Sequence, residues 1–371
     1  MMINNLRSRV RKVFRYLEDE KTVDLILIRN GVEPHIDLSF FYLTGLASGL
    51  FESCSVIAYP GGETILFTSR LEEESARRDT TDDMLRVFDN EAHHTSILRK
   101  EIGKMTRIGI NARELTHANF LALKRDFPNA QFLDVSDAII QARSVKDDEE
   151  ISLIKKSAEI VSRSFSSIPE EMNEGITEIE IASILNSKMQ KNGASSPSFE
   201  TIVAFGPHSA EPHYSPRRSR LKRGDYALFD FGARYMRYCS DMTRTLVFGK
   251  ASSEMRQVYQ TVMEAQNIGI DALQAGEKAS NVHGMVAKFI DSTKYKGRFT
   301  HSTGHTIGLS VHDGGLLSSS SEIILEDGMV FTIEPGIYIP TFGGVRIEDD
   351  FLVRNRKAEV LTKAPRELME I

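Results

Sequence analysis

Hydrophobic positions along the first 142 residues follow two periods, one typical of strands and one typical of helices. Apolar runs bounded by turn residues predict three strands: 24–28, 54–59 and 64–68. Apolar positions spaced three and four apart predict three helices: 5–19, 94–104 and 115–126. His93 and His94 stand among polar neighbours and are predicted to be surface residues. We therefore predict a small N-terminal α/β domain over residues 1–142.

The pattern changes beyond residue 142. Four acidic residues, Asp147 to Glu150, precede an apolar series that starts at Ile151, and acids in a first helical turn complement the positive end of the helix dipole. Further helices are predicted over 177–192, 253–274 and 279–290, and strands near 200–205, 226–233 and 237–248. Since strands and helices do not alternate as βαβ units require, we predict an α+β domain with an antiparallel sheet over 143–371.

Composition and charge restrict the class of protein. A chain of 371 residues is long enough for two domains, and its net charge of −6, without a long basic run, argues against a nucleic-acid partner. Cys54 and Cys239 are too few and too far apart for a disulfide framework. No apolar run approaches the ~20 residues of a membrane span, and no signal-peptide pattern follows the basic N-terminus. We expect a soluble, cytoplasmic protein without a membrane partner.

Carboxylates recur on apolar strand-like segments of the second half. Asp230 and Asp241 are 11 positions apart, and Glu334 and Glu348 are 14 positions apart. Each pair would fit on adjacent antiparallel strands joined by a turn. Two such hairpins facing each other would form an internal pseudo-repeat and bring the four acids to one place.

Four clustered carboxylates need positive charge. At ~4 Å and an effective dielectric of ~20, two like charges repel by roughly 4 kcal/mol. Two divalent cations would cancel four negative charges, and His305, in the histidine-rich segment 301–312, would add a neutral nitrogen ligand. Oxygen-rich ligation with one imidazole suits Mn²⁺, Co²⁺, Fe²⁺ or Zn²⁺ without choosing among them. One such acid or histidine alone is usually a turn or packing residue, but the five together predict a dinuclear metal site.

The chain resembles the pita-bread metallopeptidases, and within them the proline-specific prolidases (Xaa-Pro dipeptidases) and Xaa-Pro aminopeptidases. The resemblance covers nearly the whole chain and is carried by these segments: 42–46, 143–146, 150–151, 202–214, 230–232, 238–245, 304–308, 311–312, 332–338 and 344–349. It implies a C-terminal pita-bread catalytic domain, a smaller creatinase-like N-terminal domain, and a homodimer. It also implies hydrolysis of the Xaa-Pro bond in short peptides by attack of a metal-bridging hydroxide.

The resemblance also implies roles for single residues. Asp230 would bind one metal ion, His305 and Glu334 the other, and Asp241 and Glu348 would bridge the two ions. Glu334 would also act as the general base. His213 and His312 would contact the substrate and stabilise the tetrahedral intermediate, as an oxyanion needs a positioned donor.

The substrate pocket is less well determined by the sequence. Candidates for an apolar notch around the proline ring are Phe199, Tyr214 and Tyr338, and His208 is expected to support the site from behind. Thr306, Asp313 and Gly315 depart from the family pattern, and no basic residue follows His312 where dipeptidases tend to carry an arginine. Arg346 is the remaining candidate for binding a substrate carboxylate.

Several alternatives stay open at this stage. A dipeptidase and an aminopeptidase for longer Xaa-Pro peptides are about equally compatible with the residues. A methionine aminopeptidase or another amide hydrolase on the same fold, and a non-catalytic binding protein, are the remaining readings.

Overall fold

The computed structural model describes residues 2–18 and 22–371. The chain divides into two compact units, one up to Arg143 and one from Ser144. None of the described helices combines the length and the apolar character that crossing a bilayer requires.

The first unit is built on one mixed six-stranded sheet with the order β4-β3-β2-β1-β5-β6. Its strands are β1 (Leu25–Arg29), β2 (Ser55–Ala58), β3 (Thr64–Ser69), β4 (Leu85–Phe88), β5 (Arg107–Ile110) and β6 (Gln131–Asp134). Its helices are α1 (Met2–Arg15), α2 (Leu38–Thr44), α3 (Glu73–Asp79), α4 (Glu91–Ile102), α5 (His117–Asp126) and α6 (Ser136–Ser144). Strand β1 is buried along its whole length, as its continuous apolar sequence predicts. The predicted α/β character is confirmed.

The second unit contains four helices and short antiparallel strand pairs. The helices are α7 (Asp148–Ser166), α8 (Glu178–Lys191), α9 (Ser253–Ala272) and α10 (Ala279–Asp291). The strands are β7 (Ser196–Pro197), β8 (Ile202–Phe205), β9 (Tyr226–Phe231), β10 (Ala233–Tyr235), β11 (Tyr238–Cys239), β12 (Met242–Val247), β13 (Gly304–His305), β14 (Leu316–Leu317), β15 (Val330–Ile333), β16 (Gly336–Ile339), β17 (Gly343–Arg346), β18 (Asp349–Arg354) and β19 (Lys357–Val360). This content confirms the predicted α+β class.

Helices α7 and α8 both begin with a capping box. Asp147 accepts a hydrogen bond from the backbone of Glu150 in α7, and Thr177 does the same for Glu180 in α8. Each glutamate side chain in turn accepts a hydrogen bond from the N–H of the cap residue. Two otherwise unpaired donors are thus satisfied at each helix start. The acidic run after residue 146 therefore starts a helix, as predicted.

The predicted pseudo-repeat is present as two strand pairs, each with a second hairpin inserted between its strands. Strands β9 and β12 are antiparallel, with Asp230 opposite Thr243, and the β10–β11 hairpin lies between them in the chain. Strands β15 and β18 are antiparallel, with Ile333 opposite Asp349, and the β16–β17 hairpin lies between them. The two halves of the unit thus repeat one arrangement.

Each strand pair is covered by its own helices. Phe229 and Phe231 of the first pair pack in a core with Phe165 of α7 and Leu185 of α8. A second core joins Val282 of α10 to residues of the second pair, and a third joins residues of α9 to the β16–β17 hairpin. Because the strands are buried on both faces, the polar residues at their ends have few places to lie other than a shared internal site.

The last residues of the chain lie against β12. Ile371 donates its N–H to the Val247 carbonyl at 3.0 Å, and Val247 donates to the Met369 carbonyl at 3.0 Å. The buried Arg244 side chain reaches the carbonyls of Ala364 and Pro365, each at 2.8 Å. The tail is thereby fixed to the strand that leads away from Asp241.

Candidate active site

The four predicted acids lie at the ends of the paired strands, next to the hairpin inserted in each pair. Asp230 is near the end of β9 and Asp241 directly precedes β12, while Glu334 directly follows β15 and Glu348 directly precedes β18. The two pairs of acids occupy equivalent positions in the two halves of the unit. All four line one cavity of about 310 Å³.

His305 reaches the same cavity from the short strand β13. A Cβ atom on the preceding residue, Gly304, would lie 1.9 Å from the Thr332 carbonyl oxygen of β15. Only glycine allows this close approach. The His305 N–H donates to the Thr332 hydroxyl at 3.0 Å, which fixes the backbone from which the imidazole projects.

The cavity contains most of the predicted site residues. Its lining residues are Phe199, Ile202, Pro212, His213, Asp230, Asp241, His301, Ser302, His305, Val311, His312, Leu316, Glu334, Arg346 and Glu348. All five predicted metal ligands and both predicted catalytic histidines are among them. Three residues, Asp241, His305 and Glu348, each offer a ligand atom, and these atoms all lie within 4.8 Å of one another.

The His305 ring presents a lone pair to carboxylate oxygens. Its Nδ1 lies 3.3 Å from the Thr306 carbonyl, which can only accept, so the proton is assigned to Nδ1. Nε2 then faces Asp241 Oδ2 at 3.5 Å and Glu334 Oε1 at 3.4 Å. Burial lowers the pKa of His305 to about 3, so the ring is neutral. A lone pair facing two carboxylates is repulsive unless a cation lies between them.

Burial and mutual repulsion raise the pKa values of three acids in the cluster. Burial raises the pKa of Asp241 well above its ordinary value, and the neighbouring Glu348 and Asp230 raise it further. Burial, followed by the charges of Glu334 and Asp230, raises the pKa of Glu348 in the same way. Burial raises the pKa of Glu334 to about 7, with Arg346 opposing the rise. Bound cations would reverse these shifts.

Two buried carboxylate oxygens at the site, Asp230 Oδ1 and Asp241 Oδ1, have no hydrogen-bond partner among the described residues. Buried polar atoms are normally paired, so these oxygens are fitted for a ligand. Other oxygens of the cluster are oriented by hydroxyls: Thr243 donates to Glu348 Oε2 at 2.6 Å, and Thr332 donates to Glu334 Oε1 at 3.3 Å. The donor set, its charge and its unpaired atoms therefore fit divalent cations.

Arg346, predicted to bind a substrate carboxylate, is hydrogen-bonded within the site. Its guanidinium donates to Asp230 Oδ2 at 2.6 Å, to the Tyr338 hydroxyl at 2.8 Å and to the Thr243 hydroxyl at 3.0 Å. The side chain is only 3% exposed. Arg346 therefore lines the cavity as predicted for a substrate-binding residue, with its charge paired to Asp230; its role towards a substrate stays a prediction.

The structure does not bring Tyr214 and Tyr338 to the cavity surface. Tyr214 is buried, and its hydroxyl donates to Glu178 at 2.9 Å. Tyr338 is also buried, with its hydroxyl between Arg346 and His301. Of the three predicted notch residues, only Phe199 lines the cavity. His208 lies behind the site, as expected, bonded to Glu178 and stacked on Tyr214.

His301 is a cavity residue to which the sequence assigned no role. Its Nδ1 lies 2.8 Å from the Ser302 carbonyl, so Nδ1 carries the proton and Nε2 accepts from the Tyr338 hydroxyl at 2.8 Å. Burial lowers the pKa of His301 to about 4. Nδ1 is 3.8 Å from Glu334 Oε2. Its position four residues before His305 in a histidine-rich segment was the available signal.

The two-unit fold and the acid-and-histidine cluster define a pita-bread metallopeptidase. The chain belongs to metallopeptidase family M24, whose model matches residues 152–355, and residues 9–145 match the creatinase/prolidase N-terminal domain.

Relatives and solved structures support this placement over nearly the full length of the chain. An Xaa-Pro dipeptidase from Pyrococcus furiosus is 33% identical over 364 residues, which are 98% of this chain and 100% of that protein. The structure of an Xaa-Pro dipeptidase from Bacillus anthracis has a TM-score of 0.90 at 33% identity and covers 100% of both chains. An X-Pro aminopeptidase from Thermotoga maritima has a TM-score of 0.88 at 32% identity, covering 94% of this chain and 98% of that one.

Proposed function

We propose that this metallopeptidase hydrolyses the Xaa-Pro bond at the N-terminus of short peptides. The observation that carries the proposal is the buried cluster of four carboxylates and one neutral imidazole, with unpaired oxygens, at a cavity that also holds His213 and His312. Both the dipeptidases and the aminopeptidase that this chain is similar to are named for the Xaa-Pro bond.

Five side chains would hold the metal in this proposal: Asp230, Asp241, His305, Glu334 and Glu348. Their charge suits two divalent ions per subunit, of Mn, Co, Zn or Fe. Bound there, such ions supply an activated water and a polarised scissile carbonyl. Arg346 holds Asp230 in place, and Thr243 holds Glu348.

Proton transfer falls to Glu334. The Oε2 atom of this carboxylate lies at the cavity, 3.8 Å from His301 Nδ1. Glu334 takes a proton from the attacking water and returns it to the leaving nitrogen. The proline nitrogen belongs to a tertiary amide, and it must gain this proton to leave as a neutral amine when the C–N bond breaks.

His213 and His312 would donate hydrogen bonds to the substrate carbonyl. Burial lowers the pKa of His312, so the ring is a neutral N–H donor. The two rings border the cavity that contains the acids, where a donor can stabilise the charge that develops on the carbonyl oxygen.

The cavity wall favours peptides longer than two residues. Four of its lining residues are apolar and suit a proline ring: Phe199, Ile202, Val311 and Leu316. Leu316 is 47% exposed. Among the described lining residues, Arg346 is the only lysine or arginine, and its charge is paired with Asp230. A dipeptide carboxylate would have no free lysine or arginine there, so we propose that an aminopeptidase activity exceeds the dipeptidase activity.

The deciding experiment compares Met-Pro with Met-Pro-Gly as substrates. Metal-stripped enzyme is refilled with Mn²⁺, Co²⁺ or Zn²⁺, with Glu334→Gln as the inactive control and Met-Ala-Gly as the test of proline selectivity. Faster cleavage of the Met-Pro bond in the tripeptide is expected. Cleavage of the dipeptide alone would establish a dipeptidase, and no metal-dependent cleavage of either would overturn the proposal.

We also propose that residues 143–371 form the catalytic domain and residues 1–142 a separate, non-catalytic domain. All cavity-lining residues fall between 199 and 348, which supports this division. The homodimer and the cytoplasmic location stay predictions.

A further inference from the structure

Glu178 is a fully buried carboxylate that lies away from the cavity and binds the segment leading to His213. It is the first residue of α8, and its side chain has no exposed surface. Its acceptor sites are occupied by four donors. Oε1 accepts from the Phe205 N–H at 3.0 Å and from His208 Nδ1 at 2.9 Å. Oε2 accepts from the Tyr214 hydroxyl and the Arg217 N–H, both at 2.9 Å.

The four donors span one irregular loop. Phe205 is the last residue of β8 and Arg217 lies beyond the Pro212-His213-Tyr214 sequence, so the carboxylate ties the two ends of the loop and its middle to one point. Beyond the short 3-10 turn Gly206–Ala210, the loop up to Arg217 contains no helix or strand. Without Glu178, two backbone N–H groups and a buried hydroxyl would lose their acceptor.

His213 itself has little that could hold it. The residue is exposed, and in the described part of the chain its ring makes no hydrogen bond. Its neighbour Tyr214 is 2% exposed and is stacked on His208, with ring centroids 4.8 Å apart. The place of the His213 ring at the cavity therefore depends on the anchored residues on either side of it.

We propose that Glu178 is a positioning residue that acts on the reaction through His213. This inference rests on the proposed function only in that His213 must contact the substrate. Glutamine cannot replace the carboxylate, because its NH₂ group would face N–H and O–H donors in a buried place. Glu178→Gln should therefore release the loop while leaving the acid cluster untouched.

The test is a double-mutant cycle with Glu178→Gln and His213→Ala, using hydrolysis of Met-Pro-Gly. A misplacement near 1 Å can cost about 100-fold, so we expect kcat/KM to fall about 10- to 100-fold in Glu178→Gln. In the His213→Ala background the same change should have less than about a twofold effect, because the residue it positions is gone. Equal losses in both backgrounds would overturn the proposal and leave Glu178 with a structural role alone.

A second readout needs neither metal nor turnover. Arg217, Arg218 and Arg220 are exposed, so trypsin can report on release of the loop. Cleavage at these arginines should be faster in Glu178→Gln than in the parent chain, and unchanged cleavage would contradict the anchoring. If the parent chain cleaves Met-Pro alone, the double-mutant cycle is run on that dipeptide. If it cleaves neither substrate, the proposed function fails, and the trypsin result still decides whether Glu178 anchors the loop.

Two variants make the test specific. Glu180→Ala removes the capping box of the same helix and leaves the Glu178 carboxylate in place, so it should lower Tm but leave kcat/KM and trypsin cleavage at Arg217 and Arg218 unchanged. Arg220 is left out of this comparison because it pairs with the cap residue Thr177. If Glu178→Gln does not fold, Tyr214→Phe removes a single hydroxyl from the anchor and should give a smaller effect in the same direction. A loss of activity in Glu180→Ala equal to that in Glu178→Gln would count against the proposal.

Discussion

The stability of the first unit should depend on pH through one histidine. His94 was predicted to be a surface residue, and this prediction is wrong. The residue is fully buried, and its ring is stacked on Phe88 with centroids 4.2 Å apart. Within the part of the chain that the structure describes, neither ring nitrogen has a hydrogen-bond partner. Burial, followed by the charge of Arg29, lowers the pKa of His94 from 6.5 to about 3.

A depressed histidine pKa means that the folded state excludes a proton which the unfolded chain binds. The contribution to stability is complete above pH 6.5 and is lost as the pH falls from 6.5 towards 3. Each pH unit in this range corresponds to about 1.4 kcal/mol, so roughly 2 kcal/mol should be lost between pH 7 and pH 5.

His94→Phe should remove this dependence. The stacking partner is kept and the titratable group is lost, so the variant's stability relative to the parent should rise by about 2 kcal/mol between pH 7 and pH 5. Any overpacking by the larger ring shifts both values equally and leaves the difference intact. This stability difference is measured by amide hydrogen exchange in the β2–β3 hairpin, compared between variant and parent at each pH.

The control for this experiment lies on the same helix. His93 is 41% exposed, so His93→Gln removes an imidazole from α4 without changing the buried contact between His94 and Phe88. The reasoning would be refuted if His94→Phe and the parent lost stability in parallel on acidification, because His94 would then not be the group that takes up the proton.

Three further predictions concern the second unit. Arg244→Met should lower the free energy of unfolding by about 3–5 kcal/mol, since Asp349, 2.6 Å from Arg244, would be left as a buried unpaired charge. Urea denaturation followed by circular dichroism should show this, with part of the loss recovered in Arg244→Met/Asp349→Leu. Gly304→Ala should abolish metal binding measured by calorimetry, because its Cβ would collide with the Thr332 carbonyl; Gly284→Ala, which has open space around it, should bind normally. Removing divalent metal with a chelator should lower Tm, by the equivalent of about 2.7 kcal/mol when the ion had been at 100 times its Kd, and Mn²⁺ should restore it. An unchanged Tm would contradict cation binding by the acid cluster.

The acid cluster could be predicted from the sequence because two arguments agree, one from the charge of the acids and one from their positions at strand ends. Asp230 and Asp241 end and begin strands that pair in β9–β12, and four carboxylates can share a cavity only with compensating positive charge. Helix starts at Asp147 and Thr177 were equally readable, as the cap residues are close in sequence to the groups they satisfy.

Some contacts of the site could not be predicted because the two partners are distant in the chain. The Tyr214 hydroxyl bonds to Glu178, 36 positions earlier, and therefore lies away from the cavity. Arg346 is paired with Asp230, 116 positions earlier. The residues near Tyr214 and Arg346 in the sequence do not indicate these partners. His94 is a different case: Leu98 and Ile102 follow it at intervals of four and are also buried in α4, so the helical period could have shown its burial.

The C-terminal tail has a consequence for aggregation. Strand β12 is an edge strand in the order β12-β9-β8, and such an edge can recruit strands from other molecules. The backbone of residues 369–371 occupies the Val247 end of that edge, and the Glu348 N–H bonds to the Thr243 carbonyl nearer its start. Without residues 369–371 the N–H and C=O groups of Val247 would be left unpaired at this edge. We therefore expect their removal to increase aggregation through intermolecular β-pairing.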